Sequence, residues 1–87
     1  MTRYRRRSTE VEAFQLGDDH RALAEFLGDT RWHVIPLAGS IVVSTPVGDM
    51  TVRPGQWIVR DDAGLYALGD RAFRFAYEPV EEARDDG

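Results

Sequence analysis

Four side chains around one turn are the best candidates for binding chemistry in this chain. Arg53, Trp57 and Arg60 flank Pro54-Gly55, and Tyr66 lies on the run that follows. Guanidinium groups pair in bidentate fashion with phosphates and carboxylates, and a large aromatic beside them can anchor a protein or stack on a nucleobase. The same four residues therefore serve two binding readings: contact with a protein partner, and a site for a small anionic ligand such as a nucleotide. A second constellation, Arg3, Tyr4, Arg5, Arg6 and Arg7, has the composition of a nucleic-acid arm, with charges for the phosphate backbone and a ring for a base.

Catalytic and metal chemistry finds less to work with. His20 and His33 stand without a neighbouring cysteine and without the spacing that brings two imidazoles onto one ion. A general base needs a partner to orient it, and neither histidine has one in sequence. Asp61-Asp62, followed by Ala63-Gly64, reads as hairpin chemistry rather than a carboxylate pair. Ser40, Ser44 and Thr45 lack the strand-turn-helix context of an activated nucleophile. Pro54-Gly55 before Trp57 also occurs in cupin barrels, whose metal site requires several histidines and a carboxylate; here it reads as a type II turn. The expectation is a protein that is not an enzyme, with no catalytic residue, metal or cofactor.

These residues must be positioned by one small domain, since the chain has 87 residues and a hydrophobic share of 43%. Without cysteine there is no disulfide framework, so packing holds the fold, with a homo-oligomeric interface as one source. All 11 basic residues are arginine, and the net charge of −4 argues against a whole-surface polyanion binder. No apolar run is long enough to span a bilayer, and no signal-peptide pattern follows the arginines, which leads to the expectation of a soluble cytoplasmic protein with no membrane role. The acidic end, about 82–87, is expected to be flexible.

The elements follow from periodicity. Thr9 to Leu16 alternates enough for a first strand. Asp18 or Asp19 caps one helix of about 19–27, in which Leu23, Phe26 and Leu27 recur at helical spacing before Gly28. Beyond it, Trp32 to Leu37, Ser40 to Thr45, Asp49 to Arg53, Gln56 to Arg60, Leu65 to Leu68 and Phe73 to Tyr77 read as strands joined by short turns. Phe73, Phe75 and Tyr77 then share one face, opposite Arg74. The fold class expected is α+β, mostly β, with an antiparallel meander curled into a small roll or barrel and one short helix.

Three separated motifs resemble a group of small accessory proteins encoded in bacteriophages and prophages. These are Tyr4-Arg5-Arg6-Arg7 with Glu12-Ala13-Phe14-Gln15, Pro54-Gly55-Gln56-Trp57, and Tyr77-Glu78-Pro79-Val80. Members often begin Tyr-Arg-Lys-Lys-Pro, continue to Glu-Ala-x-Gln-Trp, and carry Pro-Gly-Asp-Trp or Pro-Gly-Asp-Tyr. This chain departs at Ser8, Leu16 and Gln56. The resemblance implies a phage accessory protein acting in the bacterial cytoplasm. By analogy its partner is a host protein, while a small nucleotide and, through the arginine arm, nucleic acid remain the alternatives.

Overall fold

The computed structural model describes residues 2–6 and 9–79, with the backbone alone for 2–6 and Thr9; Arg7 and the acidic tail lie outside the described residues. In chain order the elements are β1 (Thr2–Arg6), β2 (Thr9–Gln15), α1 (His20–Leu27), β3 (Trp32–Ile35), β4 (Ser40–Thr45), β5 (Gly48–Val52), β6 (Trp57–Asp61), β7 (Gly64–Leu68), α2 (Asp70–Ala76) and β8 (Glu78–Pro79). The class is α+β and mostly β, with antiparallel pairing throughout. The strands divide between a five-stranded sheet, β7-β6-β2-β1-β8, and a three-stranded sheet, β3-β4-β5, and do not close a barrel.

Side-chain parity along β2 and β6 gives the larger sheet two oily faces. Ile58, with Leu16, joins Leu23, Phe26 and Leu27 of α1 and the inner residues Ile41, Val43 and Val52 of the smaller sheet. On the opposite face Val11, Ala13, Trp57 and Val59 pack with Phe73 and Tyr77. Two clusters back to back on one sheet therefore replace the single core that so short a chain suggests.

The helix α1 follows its sequence signals. Asp19 Oδ1 accepts the N–H of Ala22 at 3.0 Å, satisfying a donor at the first turn, and Gly28 takes φ 59° as the helix ends. At the Pro54-Gly55 turn the Gln56 N–H donates to the Arg53 carbonyl at 3.0 Å and Gly55 adopts φ 91°, the type II geometry that needs glycine.

Two elements depart from expectation. Phe73 to Tyr77 is not a strand; Asp70–Ala76 forms a second helix. Phe73 and Tyr77 stand four apart, which suits one helical face as well as alternate positions of a strand, so the pattern is ambiguous over so short a span. Asp70 in the first turn, Ala72, Ala76 and the Asp70–Arg74 pair at i,i+4 favour the helix, and the Trp57 ring below supplies its seat. The arginine segment is likewise no loose arm. As far as Arg6 it is strand β1, lying between β2 and β8 in the larger sheet, where the register sets Arg3 opposite Glu12 and Arg5 opposite Glu10. An arginine-rich segment gives little apolar alternation, so pairing with β2 and β8 defines it as a strand.

Candidate functional site

The turn motif and α2 are bound together through one carboxylate. Asp70 Oδ1 accepts from the Trp57 indole Nε1 at 2.9 Å, from Gln15 Nε2 at 3.2 Å and from Arg74 Nε at 3.0 Å. Gln15 also donates to the Gly55 carbonyl at 3.1 Å. The hydrogen bond from Trp57, and after it that from Arg74, holds the Asp70 carboxyl below its ordinary range, because both donors favour the ionised form. Beneath this rim the Trp57 ring stacks on Phe73 at 4.0 Å between centroids, and Phe73 on Tyr77 at 5.0 Å.

Trp57 is thus a seat for α2 rather than a surface anchor; only 6% of it is exposed. Gln15 and Trp57, from two of the family-like motifs, meet at the same acceptor. Their chemistry there is that of helix docking.

Arg60 projects from the other face of the same strand. Its guanidinium donates twice to Glu12 Oε1, at 2.9 and 2.7 Å, and once to the Phe26 carbonyl at 2.7 Å, while lying 4.3 Å over the Phe26 ring. The Phe26 carbonyl is one that α1 cannot satisfy internally at its C-terminal end, so Arg60 caps that helix and ties it to β2. Arg53 is exposed in the turn, its backbone N–H held by Gln56 Oε1 at 2.7 Å. The structure therefore does not gather Arg53, Trp57 and Arg60 into a phosphate cradle. An open depression of about 340 Å³ beside Arg60 is lined by Glu10, Glu12, Asp61 and Asp62, which opposes an anion there.

Tyr66 shares the α2 face with Trp57. Its hydroxyl meets that of Tyr77 at 2.7 Å and donates to Asp61 Oδ2 at 3.2 Å. Burial, then the Tyr77 hydroxyl and Asp61, raise the Tyr66 phenol well above its ordinary range. Asp61 Oδ1 meanwhile accepts from the N–H groups of Ala63 and Gly64 at 2.8 and 3.2 Å, the hairpin role expected of it. Among the described residues no group of three or more His, Asp or Glu could hold a metal, and no helix is long and apolar enough to cross a membrane.

What sequence reasoning missed is Phe75. In α2 its neighbour Phe73 is 1% exposed, whereas Phe75 is 93% exposed. Ala72, Ala76 and Arg71 around it on the helix are exposed as well. Reading the segment at helical rather than strand period would have found it, since that period turns residue 75 away from 73 and 77. No protein-family model, curated protein or solved structure matches this chain.

Proposed function

We propose that this chain is a non-enzymatic accessory protein of phage or prophage origin that engages a host protein in the bacterial cytoplasm through the outward face of α2. The observation that carries this reading is Phe75, a large aromatic presented almost fully to solvent on a helix clamped from below. Water-exposed aromatics on rigid elements make effective anchors, because little conformational entropy remains to be lost when they enter a partner's pocket. Ala72 and Ala76 extend the apolar surface, and Arg71 adds a guanidinium at its margin. The resemblance of the three motifs to phage-encoded proteins supports the origin and the choice of a host partner.

Trp57 and Tyr66 enter this reading as residues on the face that seats α2, whereas Arg60 serves α1 on the opposite face and Arg53 lies in the turn. The test is affinity capture from host lysate, followed by calorimetric binding of the recovered protein to wild type and Phe75→Ala. Truncating an anchor of this kind costs about 2 kcal/mol or more, roughly a 30-fold weaker dissociation constant, with folding unchanged. Equal affinity of the two proteins, or the recovery of no host protein by wild type, overturns the proposal.

A further inference from the structure

Among the described residues the two sheets present four outer strands, and three of them are poorly suited to pairing with another chain. β5 and β7 lie against one another, and β8 is two residues long with a proline that lacks an N–H. β3 is the fourth. It pairs on one side only, with β4, and among the described residues no other strand pairs with it. Its residues Trp32–Ile35 include no proline, lysine or carboxylate, the usual means of protecting an edge.

The hydrogen-bond alternation decides which groups face outward. Ser44 N–H donates to the Arg31 carbonyl at 2.9 Å, which makes Arg31 and Ser44 a hydrogen-bonded pair. In an antiparallel ladder such pairs alternate with non-bonded ones, so His33–Val42 is bonded and Trp32–Val43 and Val34–Ile41 are not. The N–H and C=O groups of Trp32 and Val34 therefore point away from β4 to the open edge.

These groups complement their own copies. We propose that two molecules of this chain associate through β3, antiparallel about a two-fold axis at His33. Trp32 then exchanges both backbone bonds with the partner's Val34, and Val34 with the partner's Trp32. The smaller sheet becomes continuous across the pair. On the inner face Trp32 and Val34, which pack on the α1 cluster, form aromatic to β-branched cross-strand pairs, among the stabilising kinds. On the outer face Arg31 stands opposite the partner's Ile35, so no like charges meet. The Trp32–Val34 pairs, formed twice about the axis with no like charges opposed, are what favour a second copy over a foreign strand.

The two-fold makes His33 face the partner's His33 as a non-bonded pair, with Cα atoms about 4.5 Å apart, a separation that a disulfide can bridge. Because the chain contains no cysteine, His33→Cys introduces a sole thiol. Mild oxidation should convert most of this variant to a covalent dimer, while Thr51→Cys, exposed two strands away, should not. His33→Asp sets two carboxylates against each other at the axis and should weaken the dimer at least tenfold in sedimentation equilibrium. Its circular dichroism should match wild type, since His33 is exposed. Phe75→Ala should dimerise normally, which separates this proposal from the α2 reading. A wild type that remains monomeric at every concentration overturns it. So does a dimer that persists undiminished in His33→Asp, or a His33→Cys that cross-links no faster than Thr51→Cys.

Discussion

Replacing Phe73 by alanine tests whether α2 is seated by its ring stack or by the polar rim around Asp70. Phe73 is the one buried residue within α2, lying between the Trp57 and Tyr77 rings. Truncating a buried phenylalanine costs about 3–5 kcal/mol, and two stacked contacts place this site near the middle of that range, about 4 kcal/mol. Against a total stability of ~5–15 kcal/mol for a domain, that is a large fraction. At roughly 4–8 °C per kcal/mol for a chain of this size, the melting temperature should fall by about 15–30 °C. The polar rim should contribute far less. Arg74→Ala removes an ion pair whose side chains are 66% and 45% exposed, so its cost should stay below about 0.5 kcal/mol. Equilibrium urea unfolding followed by circular dichroism and tryptophan emission measures both variants. A loss below about 1.5 kcal/mol for Phe73→Ala, or an equal loss for Arg74→Ala, refutes the argument that the stack holds the helix.

Two further predictions concern the polar network. Arg60→Lys should lose about 1–2 kcal/mol in the same unfolding assay, because an ammonium cannot reach Glu12 and the Phe26 carbonyl together as the planar fork does; wild-type stability would show that the cap is dispensable. Asp70 has its folded pKa depressed, so its contribution is full above the unfolded value, about 3.9, and disappears as pH falls through the lower folded value. The acid limb of the stability curve should therefore be shallower in Asp70→Asn than in wild type, and superimposable limbs would contradict the assignment.

Much of the fold was legible because local signals agreed with one another. Asp19, the Leu23-Phe26-Leu27 spacing and Gly28 all indicate α1, and the turns at Pro54-Gly55 and Asp61-Gly64 mark hairpins whose geometry the structure reproduces. The segment at α2 was ambiguous because Phe73 and Tyr77 satisfy two periods. Asp70, Ala72, Ala76 and the Asp70–Arg74 pair lean towards helix, but the ring and indole N–H that seat it come from Trp57 on another element. For the site, strand parity was the overlooked signal. Trp57 and Arg60 are separated by three positions, an odd number, so a strand sends them to opposite faces. Phe75 was concealed by the same confusion of periods. The division into two sheets lay beyond local pattern, since it depends on β2 pairing with β6 rather than with a sequence neighbour.

That pairing also sets a timetable for synthesis. Gln15 faces Trp57 across the ladder, and Gln15 reaches Asp70 over a separation of 55 residues. At cellular elongation rates the ribosome needs on the order of 2–8 s to advance from the first of these partners to Trp57. Throughout that interval β2 has no β6 beside it. β3, β4 and β5 pair only with one another, through local hairpins, while their inner residues Ile41, Val43 and Val52 pack on Leu16 and Ile58. Until Trp57–Asp61 has followed, Val11 and Ala13 lack both the strand and the Phe73 and Tyr77 rings they pack against.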